Sequence, residues 1–505
     1  MTVLKRLTVL LTALLLLASF ASAFAIDDGF YSVYTYNYDY WEEIRESPDA
    51  YKVKTVLYGT TLGLDTNFSL PEGMFIRGND IYVCDTGNNR LVQIRADEEG
   101  YTLVRTIDKI NGSDKPGFLS PTDCSVDEAG NIYVADKNNN RVVMVDKDLN
   151  FVREFVKPDD PSFGSGSFLP VRIAVDVAGR VYVLAENVNM GLIKYEADTE
   201  FAGYIGANKV SMTMWEYVWK YFFMSEEQRA TSESTVPTRY ENIYMDDQGF
   251  IYATTTSFEE YDLKWDNAKP IRRLNGIGDD ILIKDDRYPP IGDYTWVEGG
   301  DASHGPSKFV DITVLENDVY VALDKTRGRL FGYDSQGVML WAFGAIGQYE
   351  GAFNAPIALD HIGRELICLD QRDMSITVFT PTEYGNLIYD ANNTYAKGDY
   401  DGSGELWDEV LKFNANYNMA YRGIGRALLR QGKYSEAMEY FKMAHDRQNY
   451  GRAFRLYRKE WVEKNIGWVV GILIAVIVLY LAKRIISGMK KEVAAYERDH
   501  VVKQA

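Results

Sequence analysis

Four carboxylates recur at comparable places along the chain. Glu72, Asp123, Glu241 and Asp311 each follow a recurring proline (Pro71, Pro121, Pro237, Pro306) by one to five residues. Oxygen ligands gathered from several separate segments are what Ca2+ takes, and carboxylates also serve Zn2+. If the segments converge on one axis, the four residues would ring it as a metal site or as solvated carboxylates at its mouth. The solvated mouth is favoured, because Asp and Glu are abundant and two further prolines, Pro170 and Pro356, lead to Arg172 and Ile357 instead. His304, His361, His445 and His500 fall in separate elements and cannot share a zinc site. Neither a Gly-x-Ser-x-Gly turn nor a Ser-His-Asp order is present.

Aromatic residues form a second candidate set. Tyr34, Tyr36, Tyr38 and Tyr40 alternate with Thr35, Asn37 and Asp39, so a strand would carry their rings on one face. They would stack on a sugar or a partner, or latch onto the body of the protein; the latch is favoured. Ser211–Ala230 reads as a helix with Met214, Trp215, Val218, Trp219, Phe222 and Phe223 on one side. That side would cap the protein surface or dock at a membrane boundary. Tyr36, Tyr38, Tyr40, Trp215 and Trp219 are therefore the candidate binding residues, for carbohydrate or protein.

These residues have to be positioned by a repeat. Ser120–Asp146 (SPTDCSVDEAGNIYVADKNNNRVVMVD) reads as strand, tight turn, strand, loop and strand. Such a unit cannot bury its faces alone. Proline and a downstream aromatic or apolar marker recur as Pro71/Tyr82, Pro121/Tyr133, Pro170/Tyr182, Pro237/Tyr252, Pro306/Tyr320 and Pro356/Ile367. The marker spacings of 51, 49, 70, 68 and 47 residues are close to or above those of four-stranded propeller blades. A fourth, outer strand follows in Leu103–Ile107, Phe151–Val156, Glu200–Ile205 and Met339–Phe343. The sixth copy has none before helical sequence begins. The orphan strand Tyr51–Leu57 is expected to supply it and close the ring.

The pattern Asp-x-x-Gly-Asn-Ile-Tyr-Val-Ala-Asp-x-x-Asn-Asn-Arg-Val resembles NHL repeats. It is clearest in Asp85–Arg90 and Asp136–Arg141, and the repeats cover 51–381. The resemblance implies a six-bladed propeller, and related propellers include lactonases and lyases with a metal in the central channel. In Asn88-Asn89-Arg90 and Asn139-Asn140-Arg141, left-handed Asn and an Arg bracing a neighbouring blade are favoured over a ligand site.

Met1–Ala25 has the charged start, apolar stretch and small-residue end of a signal peptide. A Tyr-rich lead, 26–50, follows. A net charge of −19 argues against nucleic acid as partner. Cys84, Cys124 and Cys368 lie in predicted strands without metal spacing and read as buried thiols. From residue 382 the period becomes helical. Gly398-Asp399-Tyr400 and Gly432-Lys433-Tyr434 are 34 residues apart, as are Trp407 and Phe441. That is the tetratricopeptide (TPR) period. The region 382–465 thus resembles a TPR pair with Asn449–Asn465 as capping helix. Ile466–Ala482, with Trp468, Tyr480 and Lys483-Arg484 at its ends, reads as a membrane helix, and 483–505 as a cytoplasmic tail.

The whole order resembles bacterial, mainly Gram-positive, membrane-anchored proteins with an NHL propeller and a TPR pair. The expectation is an all-β six-bladed propeller, with a helical insertion at 211–230, then an all-α TPR domain and one transmembrane helix. The resemblance implies a non-enzymatic extracytoplasmic binding or scaffold protein with membrane-associated protein partners, accessory to a sugar ABC transporter. The alternative is a lactonase-like hydrolase holding Ca2+ or Zn2+; without it no cofactor is expected.

Overall fold

The computed structural model describes residues 34–502 except 40, 42, 161–162, 164–165, 187, 207, 210–234, 237–238, 265–267, 285–288 and 294–304. The signal-peptide segment, Tyr40, and Trp215 and Trp219 with their predicted helix lie outside the described residues. The chain divides into two units, Met1–Asn386 and Leu387–Ala505.

The first unit is a six-bladed β-propeller. Blade one pairs Gly73–Arg77, Asp80–Asp85, Arg90–Asp97 and Gly100–Ile107 in order. Blade two is Pro121–Val126, Ile132–Asp136, Arg141–Val145 and Phe151–Phe155. Blade three is Pro170–Val175, Val181–Ala185, Leu192–Tyr195 and Phe201–Ile205. Blade four has three strands among the described residues, Asn242–Met245, Ile251–Thr254 and Ile271–Leu274. Blade five runs Phe309–Val314, Tyr320–Asp324, Arg329–Tyr333 and Met339–Phe343. In blade six, Pro356–Ile362, Glu365–Asp370 and Ser375–Pro381 are completed by Tyr51–Tyr58. Each blade's first strand packs on the next blade's, and Pro356–Ile362 packs back on Gly73–Arg77, so the ring is closed.

Closure is a pairing of the two ends of the propeller sequence. Tyr51 faces Pro381 and Tyr58 faces Ser375, antiparallel. Tyr51 and Leu57 are buried there. The apolar alternation of each strand supplies the cores between sheets, such as Ile81, Val83, Val92 and Ile94 against Ile367, Leu369, Ile376 and Val378. All three cysteines are buried free thiols in these strands.

The lead segment does not hang free. Thr35–Tyr38 adds to the outer strand of blade five, Tyr36 opposite Ala342, and Ile44–Glu46 adds beyond it. An exposed sheet edge is thereby covered by a hairpin. Tyr36 is wholly buried. Its ring meets those of Tyr38 and Phe331 edge-on. Its place is therefore that of the latch and not of an open stacking surface.

In the second unit, helices Tyr400–Phe413, Asn418–Arg430, Tyr434–Met443 and Arg447–Val502 pack in succession. Glu383–Ala396 spans the division between the units. The 34-residue period has a physical basis. Gly398 and Gly432 both have positive φ. After each, the next residue's N–H reaches five residues back, Asp399 to Thr394 and Lys433 to Leu428. That is the left-handed helix stop that favours Gly. Trp407 and Phe441 are both buried. A Cβ on Gly423 would strike the Trp407 indole, and one on Gly425 would lie 2.7 Å from Phe441. Only glycine lets these helices approach so closely.

The capping segment Asn449–Asn465 and the apolar segment Ile466–Ala482 run on in one helix. Arg447–Val502 is one helix of 56 residues. Between residues 447 and 466 there is neither proline nor a left-handed glycine to stop it. Lys464 pairs with Glu460 one turn back, just before Ile466. Its apolar window has a mean hydropathy of 2.5 and none of it is buried.

Deleting residues 48–58 should cost the propeller more than about 5 kcal/mol, since two large buried side chains and a whole strand pairing are lost. Chemical denaturation of the variant would check this; an unchanged midpoint would contradict strand closure.

Candidate functional site

The first strands of the blades line a central cavity of about 470 Å3. Strand register places one residue of each blade at the same level. Asp123 faces Ala135 across its sheet, Arg172 faces Leu184, Asn242 faces Thr254 and Asp311 faces Leu323. Gly73, opposite Cys84, and Ala358, opposite Leu369, complete the ring. Its polar members are thus two carboxylates, one amide and one guanidinium.

Most of these groups work between blades. Asp123 Oδ2 accepts the Ile173 N–H of blade three at 2.8 Å. Asp311 Oδ2 accepts the Leu359 N–H of blade six at 2.7 Å. One residue further on, Asp360 Oδ2 accepts the Ile76 N–H of blade one at 2.7 Å. Its Oδ1 takes the Thr313 hydroxyl of blade five at 3.1 Å. Asp360 therefore ties three blades together. Arg172 Nη1 reaches back to the Thr122 carbonyl of blade two and to its own neighbour Val171.

Burial sets the electrostatics. Desolvation pushes the Asp123 carboxyl up to about 6, opposed by Arg172 and by backbone N–H groups. Burial raises Asp311 well above the carboxylate range against the same kinds of opposition. Both carry Asp360 as a like-charged neighbour. A carboxyl taken out of water favours its neutral form unless charges or donors compensate.

The cavity gathers three of the four carboxylates expected there, Glu72, Asp123 and Asp311. Glu241 does not line it. Asn242, one residue later, holds the ring position, and Glu241 accepts the Thr256 hydroxyl at 2.9 Å and pairs with Lys325 at 3.4 Å. A one-residue step along a strand exchanges faces; Glu72 also stands one residue before its blade's ring position, Gly73, but lines the cavity all the same. Asp360, which carries the most blade-to-blade bonds, was absent from the expected set. Among the described residues no group of three or more His, Cys, Asp or Glu side chains has metal-holding geometry.

The Asn-Arg loops lie elsewhere and brace the blades. Asn89 and Asn140 are left-handed, with φ of 54° and 58°. Arg90 donates to Asp85 and to the Thr66 carbonyl. Arg141 donates to Asp136 and to the Lys115 carbonyl. Each Arg thus holds the crossover entering its own blade. The reach to a neighbouring blade is made by Asn89, whose Oδ1 accepts the Ser120 N–H at 2.8 Å.

Two tyrosines of the lead converge on a different carboxylate. Tyr36 and Tyr38 hydroxyls both donate to Asp293 Oδ1, the former at 2.7 Å, and Arg329 pairs with Asp293 Oδ2. Burial raises both phenols, with the Asp293 charge adding to it. The network fastens the lead to the segment before blade five.

Comparison with known proteins finds one repeat family and several solved structures. Residues 118–143, at the heart of blade two, match the NHL repeat family. Among solved structures, the chain resembles a selenomethionine-substituted virginiamycin B lyase from Staphylococcus aureus, at 11% identity over 65% of this chain and 99% of that one, TM-score 0.36. A streptogramin B lyase matches at 11% identity, 66% and 100% coverage and TM-score 0.37. A structural-genomics protein of unknown function from Bacteroides thetaiotaomicron matches at 12% identity, 66% and 73% coverage and TM-score 0.39. A search of curated protein sequences finds no match.

The raised Asp123 carboxyl predicts a pH dependence. Its proton is held more tightly folded than unfolded, so its charge opposes folding above about pH 6, and the cost is relieved as pH falls toward 4. Relative to the wild type, Asp123→Asn should therefore gain stability between pH 4.5 and 7.5, by up to about 3 kcal/mol for two pKa units. Denaturation midpoints of the two proteins across that range measure it; parallel curves would contradict the assignment.

Proposed function

We propose that this is a non-enzymatic binding and scaffold protein of a bacterial cell membrane. The helix Arg447–Val502 anchors it through Ile466–Ala482, and the propeller works outside the cytoplasm. The observation that carries the reading is that helix. Its apolar window is fully exposed at a mean hydropathy of 2.5, while Ala453, nearer its start, is buried with Ala437 and Phe441 of the preceding hairpin. Seventeen helical residues rise about 26 Å, close to the hydrocarbon thickness of a bilayer. Trp468 and Tyr480 stand near its ends, exposed. One rigid element thus joins the lipid-seeking segment to the helical hairpins.

The hairpins then have a role as a TPR pair that holds a protein partner close to the bilayer, for which a sugar ABC transporter is the candidate. Two features support binding over hydrolysis in the propeller. Asp123 accepts the backbone N–H groups of Ile173 and Cys124, and Asp311 those of Leu359 and Ile312. Both carboxylates are thereby occupied in holding blades together. With the signal peptide read as cleaved, the amino-terminal side lies outside and the basic residues Lys483, Arg484, Lys490 and Lys491 face the cytoplasm.

Two outcomes are expected. In isolated membranes the full-length chain should resist alkaline carbonate extraction, and deletion of 466–505 should release it; release of the intact chain would contradict anchoring. After detergent solubilisation, a membrane transporter should co-purify with the wild type, and deletion of 382–465 should abolish this. Retention of the partner by that variant would move the contact to the propeller.

A further inference from the structure

Two charged side chains of the central cavity keep unused hydrogen-bonding capacity once the bonds between blades are counted. Arg172 is over nine-tenths buried at 8% exposure and lines the cavity. Its Nη1 is used by carbonyls, and its Nε–H has no acceptor among the described residues. A buried guanidinium donor without an acceptor is costly, typically about 1–3 kcal/mol or more. The second is Glu72, which is half-buried and lines the same cavity. Its carboxylate has no hydrogen-bond or ion-pair partner among the described residues, whereas Asp123, Asp311 and Asp360 each accept backbone N–H groups. Glu72 and Arg172 do not pair with each other: they come from blades one and three, and no ion pair joins them.

One cavity thus presents a guanidinium whose charge faces Asp123 and Asp311 but whose Nε–H is unused, and an unpartnered carboxylate on another blade. A metal ion would satisfy only Glu72 and an inorganic anion only Arg172. A molecule with a negative and a positive end satisfies both. We propose that the cavity binds a small zwitterion of amino-acid or short-peptide type, its carboxylate taken by Arg172 and its ammonium by Glu72. The volume, about 470 Å3, is that of a site for a small organic ligand. The remaining lining favours the ammonium end, since it includes Asp127, Asp176, Asp246 and Asp360, with Arg77 as the only other guanidinium among the described residues. Clefts lined mainly by one sign of charge concentrate ligands of the other. Both ends would be held by charge-assisted bonds in a partly desolvated site, where such bonds are strongest. The proposal rests on the binding reading above and gives it a ligand class.

The test uses the full-length protein in detergent and the tripeptide Ala-Ala-Ala, whose only charges are its two termini, followed by isothermal titration calorimetry. The free tripeptide should bind at submillimolar concentration. Its C-terminal amide, without the carboxylate, should bind at least about tenfold more weakly, as should its Nα-acetyl form. A charge-assisted bond of about 1.4 kcal/mol or more corresponds to that factor. Arg172→Gln should weaken the free acid about tenfold and leave the amide unchanged. Because Arg172 also contacts Thr122, Glu72→Gln serves as a second variant free of blade contacts; it should weaken the unblocked peptide and leave the Nα-acetyl form unchanged. Equal binding of acid and amide, equal loss of both by Arg172→Gln, or no binding of any form at 10 mM would overturn the proposal. Co-purification of a transporter is untouched by any of these results, so the scaffold reading and the ligand class stand or fall separately.

Discussion

A buried aspartate at the end of the second strand fixes where four of the six blades begin. Asp85, Asp136, Asp324 and Asp370 are almost wholly inaccessible. Each accepts a backbone N–H from the segment entering its blade: Ser69 for Asp85, Leu119 for Asp136, Lys308 for Asp324 and Asn354 for Asp370, all at 2.7–2.8 Å. The second oxygen is filled by side chains, Arg90 and Asn88 in blade one, Arg141 and Asn139 in blade two, Ser307 in blade five. Burying a carboxylate is costly unless it is surrounded by donors. Here the donors are the crossover itself, so the crossover cannot leave without exposing that cost. Once the entry point is pinned, the first strand of each blade must descend along the axis, and the inward-facing positions become a ring. Blades three and four carry Ala185 and Thr255 at this place, and they stand beside the two widest intervals in the repeat.

That dependence explains what could be read in the sequence. The motif around Asp136 announces itself because its Asp, Asn and Arg serve one carboxylate, and the same letters recur at Asp85. The ring closure was legible for a different reason: a strand without a partner at each end of the repeat array leaves only one pairing that hides both edges. The 34-residue helical period was legible because a left-handed glycine and a large ring recur together, Gly398 with Trp407 and Gly432 with Phe441.

The channel was harder to read, because pairing register decides which residue faces the axis and sequence spacing does not report it. In blade five the marker tyrosine, Tyr320, is one residue out of step. Asp311 pairs with Leu323 as Asp123 pairs with Ala135, so Val321 occupies the place of Tyr133. Tyr320 stacks instead on Tyr333 at 5.3 Å. The same one-residue ambiguity put Glu241 in the ring where Asn242 stands. Asp360 escaped notice because its partners, Ile76 and Thr313, are 284 and 47 residues away. A side chain that bonds to backbone leaves no pairing of residue types to find.

The channel wall also shows stability given up. Asp311 is buried, raised by desolvation, and placed near Asp360, a like charge. Apolar residues there would fill the axis without that cost, as Ala358 does at the same level of blade six. Buried charge does not by itself stabilise a fold. Yet the wall keeps Asp123, Asp311 and Asp360 on one side of the ledger and Arg172 on the other, with an open volume between them. The carboxylates recover part of their desolvation by accepting N–H groups across blade boundaries, so they are held rigid. A rigid, polar wall of this kind would leave little ordering to be done on binding the proposed ligand. The strain is tolerated since it is spread over several blades whose cores are apolar and closed, and the seam that closes them, Tyr51–Tyr58 on Ser375–Pro381, lies in the blade that contributes Asp360.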